Sequence, residues 1–147
     1  MAAQLFTTRP SDFTSSIEVV ACFCEWEDKI LLLKRHPEDL HGETWSAPGG
    51  GLEPGEKPAA AAARELLEET GILLEVAQLE SLGTVYIRLP DLRYTFHMFR
   101  TRFDSKPEVA VSLDENTEAK WITIDEALQL PLIPAGNEAM EHYRSQK

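Results

Sequence analysis

Apolar residues fall into short runs separated by polar segments carrying Pro and Gly, and the period of each run predicts its element. IEVVACFCEW (17–26) and ILLLKR (30–35) are aliphatic and β-branched runs of strand length on either side of the turn-like EDK (27–29), which predicts a β-hairpin. Residues 36–48, HPEDLHGETWSAP, are polar and broken by Pro and Gly; they predict a connection in which Trp45 anchors in the core. GGGLEPGE (49–56) predicts a glycine-rich loop. From Pro58 to Thr70 the period becomes helical. Pro is tolerated in the first turn because its missing N–H has no partner there, and Gly71 suits the left-handed position that ends a helix. At about 100° per residue, Ala59, Ala63, Leu66, Leu67 and Thr70 share one face, while Glu65, Glu68 and Glu69 share the other. The alanines imply close approach to a sheet.

Further along, ILLEVAQLESLGTVYIRL (72–89) and LRYTFHMFRTRF (92–103) predict strands joined by a turn at Pro90 and Asp91. KWITIDEALQL predicts a short strand over 121–124 running into a short helix at DEAL, and PAGNEAMEHYRSQK predicts a closing helix. Residues 1–16, rich in Ser, Thr and Pro, read as a loose lead-in to a single domain over 17–147. Strands before and after a central helix, with another helix at the end, predict an α+β fold: a mixed sheet covered on both faces.

Composition narrows the function. With 43% hydrophobic and 27% charged residues the chain is an ordinary globular one, and its 147 residues suffice for one core. The net charge of −11 repels nucleic acid polymers and anionic membrane surfaces. No apolar run approaches the roughly 20 residues of a membrane span. The first 16 residues have neither a basic-then-apolar leader nor a small-residue cleavage site. A cytoplasmic protein acting on a small molecule, as a monomer or homodimer, is the expectation. Cys22 and Cys24 share one face of a strand and are expected to be buried thiols; the four histidines (His36, His41, His97, His142) show no ligand spacing to them.

The helix carries the informative anomaly. Glu65/Glu68 is an i,i+3 pair and Glu65/Glu69 an i,i+4 pair, spacings at which like charges cost roughly 0.2–0.5 kcal/mol each. The one helix cation, Arg64, lies four residues before Glu68, the less favourable order for such a pair. A hard divalent cation explains the cluster: Mg²⁺ or Mn²⁺ prefers oxygen ligands and shares its shell with substrate phosphates. The preceding glycines let backbone come close to an ion or phosphate, and a bound metal reconciles the acidic chain with an anionic substrate.

The spacing G-x5-E-x7-R-E-U-x-E-E-x-G-U, with U a bulky aliphatic residue, is filled by Gly50, Glu56, Arg64, Glu65, Leu66, Glu68, Glu69, Gly71 and Ile72. It resembles the Nudix box at every fixed position. The hairpin, WSAPGG (45–50) and KWITIDEAL (120–128) are similar to the same family. The resemblance implies a Nudix-type α/β/α sandwich with a central mixed β-sheet. It also implies metal-dependent hydrolysis of a phosphoanhydride bond in a nucleoside diphosphate linked to a further group X. The small, insert-free chain looks most like the MutT branch, which implies a (deoxy)nucleoside triphosphate cleaved to the monophosphate plus pyrophosphate. ADP-ribose, a nucleotide sugar or a dinucleoside polyphosphate is the alternative substrate. A non-catalytic nucleotide-binding module is a further alternative, against which the intact carboxylates argue.

Carried over by position, Glu68 and Glu69 would ligate the catalytic Mg²⁺, for which Mn²⁺ may substitute. The carbonyl of Gly50 would add another oxygen, and Glu65 would be a further ligand or the base that activates water. Arg64 would pair with Glu56 or Glu68 to orient them. Some family members add a carboxylate from beyond the box; Glu118 is the first candidate here and Glu115 the second. Arg35 is a candidate phosphate contact, and Tyr86, Arg88 and His97 are candidates for the wall of the nucleoside pocket.

Overall fold

In the computed structural model, which describes residues 3–146, the chain opens with strand β1 (Gln4–Phe6), antiparallel to a later strand through Gln4↔Arg88 and Phe6↔Tyr86. The expected loose lead-in is therefore partly sheet. Its polar, Pro-containing sequence has no strand period of its own, and the pairing depends on an edge supplied by distant residues. Phe13, in the same stretch, is buried and meets Tyr86 edge to face at 5.6 Å.

The expected hairpin forms between β2 (Ile17–Trp26) and β3 (Lys29–Arg35), but the two strands pair only at its base, through Glu25↔Ile30 and Trp26↔Lys29. Beyond that point they fork. The segment between them divides into β4 (Trp45–Ser46), which pairs with β3, and β5 (Gly49–Gly51), which pairs with β2. The first glycines of the expected loop are thus a short strand. Only a residue without Cβ fits at Gly49, where a side chain would stand 2.1 Å from the Val20 carbonyl oxygen.

Helix α1 (Pro58–Thr70) has the expected bounds and stops at Gly71, whose φ of 77° lets its N–H bond the Leu67 carbonyl. The expected strand over 72–89 begins only at β6 (Glu80–Arg88). Before it, a 3₁₀ turn at Val76–Gln78 is closed by the Gln78 side chain accepting from the Glu75 N–H at 2.8 Å, a local bond that competes with strand formation. β7 (Arg93–Phe103) is antiparallel to β6 and, from Tyr94 to Phe103, parallel to the whole of β2. β8 (Asn116–Ile122) pairs with β3 and starts earlier than expected, taking in most of the polar ENTEAK. Its pairing with β3, whose Ile30–Leu33 are buried, outweighs its polar composition. Helices α2 (Ile124–Ala127), capped by Thr123, and α3 (Gly136–Ser145) follow.

The sheet order is β1-β6-β7-β2-β3-β4, with β5 added on β2 and β8 on β3, a mixed sheet as expected. Alternation along β2 separates two cores. Val20, Cys22 and Cys24 face the side of α1, while Ala21 and Phe23 face α3, where Phe23 stacks on Tyr143 at 4.3 Å. Cys22 and Cys24 are buried free thiols, and their contact together with burial raises the Cys24 pKa. No helix among the described residues is long and apolar enough to cross a membrane.

One feature of α1 departs from expectation. It buries Ala61, Ala62, Leu66, Glu69 and Thr70, whereas Leu67 is 45% exposed and Ala59 and Ala63 are half-buried. The helix is rotated about its axis by nearly one residue step, which turns Glu69 inward. Helical periodicity alone would leave the carboxylates in solvent; here the Gly49 N–H on β5 donates to Glu69 and holds it inward.

Candidate active site

The fork between β2 and β3 places the Gly49–Gly51 backbone under α1, and the box residues meet there. Arg64 is the hub of one side. Its Nε and Nη2 donate to both oxygens of Glu56 at 2.8 and 2.9 Å, a planar fork-to-fork contact. Nη1 donates to Glu65 at 3.0 Å and to Glu68 at 3.3 Å, and Nη2 also donates to the Gly51 carbonyl at 3.1 Å. These bonds hold the Glu56 carboxyl down at about 2 and raise the Arg64 pKa. The sequence assignment of Arg64 as partner of Glu56 or Glu68 describes half of the arrangement, since it bonds both, and Glu65 as well.

On the other side, no ion pair among the described residues reaches Glu69 or Glu115, although Arg35 lines the same cavity. Glu69 is 8% exposed and its Oε1 accepts a hydrogen bond from the Gly49 N–H at 2.8 Å. Burial pushes its carboxyl up to about 8, reinforced by the charges of Glu65 and Glu115 and opposed by Gly49 and Asn116. Burial likewise raises Glu65, against the pull of Arg64. Carboxylate oxygens of Glu65, Glu69 and Glu115 lie within 4.8 Å of one another. Glu115 arrives from the loop before β8, which is stitched to the end of α1 by Ala110 N–H to Thr70 O at 2.8 Å and Ser112 N–H to Glu69 O at 3.3 Å. Gly50 lies against Glu65: a Cβ there would stand 2.6 Å from the carboxylate.

Several expected residues fall elsewhere. Glu118 is exposed on β8. Ala119 and Trp121 face α1, so by strand alternation Glu118 shares the opposite face with Lys120 and Ile122. Glu115, the second candidate, is the one that joins the cluster. Glu68 stays on the rim, its side chain 49% exposed and bound to Arg64. Arg35 lines the acidic cavity of about 400 Å³ together with Glu65, Glu69, Glu115 and Asn116. Arg88 is not at the site: it bonds Asp12 at 3.2 Å and lies over the Phe6 ring, tying down the N-terminal segment. Tyr86 and His97 line a separate polar cleft of about 910 Å³ behind the 51–56 loop, where His97 bridges Glu18 at 2.8 Å and Thr84 at 2.9 Å.

The NUDIX domain family matches residues 15–143. The chain belongs to the Nudix hydrolase family. It is 34% identical to diphosphoinositol polyphosphate phosphohydrolase 3-alpha of Mus musculus over 84% of this chain and 74% of that protein. It is 31% identical to the CTP pyrophosphohydrolase of Escherichia coli K12 over 86% of this chain and 90% of that protein. The crystal structure of a MutT protein from Methanosarcina mazei Go1 superposes with a TM-score of 0.72, covering 89% of this chain and 95% of that one at 26% identity. The family consists of pyrophosphohydrolases acting on phosphorus-containing anhydrides, and this chain is a Nudix enzyme of that kind.

Nudix enzymes use a divalent metal, and the donor set here fits one. The cluster is all oxygen, the chemistry Mg²⁺ and Mn²⁺ select. An octahedron with bonds of about 2.1 Å has edges of about 3 Å and a long diagonal of about 4.2 Å, so three oxygens within 4.8 Å reach it by small side-chain rotations. The residue that sequence reasoning missed is Asn116. It is 4% exposed beside Glu69, and nothing in the polar run ENTEAK distinguishes it from its neighbours.

Proposed function

We propose that this Nudix hydrolase converts a (deoxy)nucleoside triphosphate to the monophosphate and pyrophosphate, with Mg²⁺ as cofactor and Mn²⁺ able to replace it. The observation that carries the reading is a pair of cavities with a common floor. An apolar cavity of about 120 Å³, walled by Phe23, Trp45, Phe96 and Met140, shares Arg35, Gly49 and Gly50 with the acidic cavity. A planar base in the first would lead its phosphates over the glycine backbone into the second.

In this reading Glu69 and Glu115 hold the cation, with the Gly50 carbonyl as a further oxygen, and Glu68 joins from the rim by rotation of its own side chain. A divalent cation bound there supplies charge neutralisation at the phosphates and Lewis-acid activation of water. Glu65, steadied by Arg64, accepts the proton of the attacking water. The water oxygen bonds to phosphorus as the bridging P–O bond breaks, and the leaving phosphate keeps the bonding electron pair. Arg35 contacts a phosphate oxygen.

The test is a panel of nucleotides with Mg²⁺ or Mn²⁺ in ¹⁸O-water. The expected result is pyrophosphate release from a nucleoside triphosphate, abolished by EDTA, with the label in one defined product. Turnover of ADP-ribose, a nucleotide sugar or a dinucleoside polyphosphate with none of any triphosphate would move the assignment to that substrate.

A further inference from the structure

Among the described residues, three buried side-chain N–H groups lack a hydrogen-bond partner: Arg35 Nε, Arg88 Nε and Asn116 Nδ2. Two of the three line one cavity, the acidic one that also holds Glu65, Glu69 and Glu115. They are also direct cross-strand partners, Arg35 on β3 opposite Asn116 on β8, at the point where the register of that pair shifts. A register shift re-aims side chains, and such irregularities recur beside active sites.

Asn116 is the more telling of the two. It is 4% exposed at the start of β8, and no protein group among the described residues accepts from its Nδ2. A buried donor without an acceptor is destabilising and is rare in native proteins unless a ligand completes it. The carboxylates around it select which end of the amide faces the cavity: the carbonyl would be repelled, the NH2 is not. That NH2 favours ionised Glu69 by proximity but makes no hydrogen bond to it of normal geometry. The cavity therefore holds clustered carboxylate oxygens and, among the described residues, two buried N–H donors without acceptors. A ligand that satisfies both sets of groups carries a cation together with anionic oxygens, which describes a metal-complexed diphosphate.

We infer that Asn116 is a substrate-binding residue whose Nδ2–H donates to a non-bridging oxygen of the metal-complexed diphosphate, alongside Arg35. This rests on the nucleotide pyrophosphohydrolase reading above, and it assigns a contact that the box motif does not contain. Asn116 acts on the phosphate, whereas Glu69 and Glu115 act on the cation.

The probes are Mn²⁺ alone, followed by electron paramagnetic resonance, and Mn²⁺ with imidodiphosphate, a diphosphate that cannot be hydrolysed. Asn116→Ala is expected to weaken imidodiphosphate binding about tenfold, equivalent to about 1.4 kcal/mol, while the affinity for Mn²⁺ alone stays within about twofold. Asn116→Asp keeps the shape of the side chain and replaces a donor by an anion. It is expected to weaken imidodiphosphate binding further, and it covers the case in which the alanine variant does not fold. Variants that bind imidodiphosphate as the wild type does overturn the inference. So does an equal loss of Mn²⁺ affinity, which would make the amide a support for Glu69 alone. A wild-type protein that binds Mn²⁺ but not imidodiphosphate overturns the proposed function as well, and is told apart by needing no variant.

Discussion

The two flanks of helix α1 carry the same residue type to opposite ends. Toward the 51–56 loop, Glu56, Glu65 and Glu68 gather on Arg64, and the Glu56 carboxyl is held at about 2. Toward β5, Glu69 forms no ion pair among the described residues; it meets a backbone N–H, the Asn116 amide and two further carboxylates, and sits at about 8. Glu65 touches both sides, bonded to Arg64 yet within the acidic cluster. The box is thus two devices on one helix. The ionic clasp fixes geometry, and the uncompensated cluster stores repulsion that a cation relieves.

Removing the receptive side should have the largest effect. Glu69→Gln is expected to lower kcat/KM on the order of a thousandfold, about 4 kcal/mol, with far-ultraviolet circular dichroism unchanged. Turnover near the wild-type level would remove Glu69 from the metal set. The next largest effect needs no mutation. The folded value of about 8 exceeds the unfolded value of 4.5, so folding without metal is favoured by neutral Glu69. That contribution is complete below pH 4.5 and is lost as pH rises through about 8, by about 3 kcal/mol at most between pH 5 and 7.5. Denaturant unfolding in EDTA should show this fall with rising pH, and saturating Mg²⁺ should flatten it. Glu56 acts with the opposite sign, its contribution being lost only on acidification from 4.5 toward about 2.

Smaller effects sharpen the contrast. Gly50→Ala places a methyl group 2.6 Å from the Glu65 carboxylate and should lower kcat/KM about a hundredfold through displacement of that side chain. A crystal structure of the variant with Glu65 unmoved would refute that cause. Arg64→Lys keeps the charge but not the fork that grips both oxygens of Glu56. It should lower metal affinity and activity about tenfold, as loss of a ligand-orienting partner does. Glu118→Gln, on the far face of β8, should change kcat/KM by no more than about twofold, whereas Glu115→Gln should weaken Mn²⁺ binding measurably.

Much of this was legible in advance because it is local. The bounds of α1 follow from Pro58 and Gly71, the buried thiols from their i,i+2 spacing, and the box from nine residues at set intervals. What failed was non-local. No property of residues 4–6 shows that β6 offers them an edge, and nothing in ENTEAK says whether Glu115 or Glu118 reaches the helix until β8 is paired and its alternation is known. The inward turn of Glu69 is invisible to periodicity, since its cause is a donor twenty residues away on β5.

The chain by itself determined which chemistry is available: three carboxylates within about one helical turn, an arginine beside them and glycines before them, at intervals that only a helix can bring together. Tertiary structure decided which carboxylates are neutralised and which are left open, which distant residues complete the cavity, and that Asn116 belongs to it. Charge compensation and burial depend on distances in space between elements far apart in sequence, and those distances exist only once the forked sheet has closed around them.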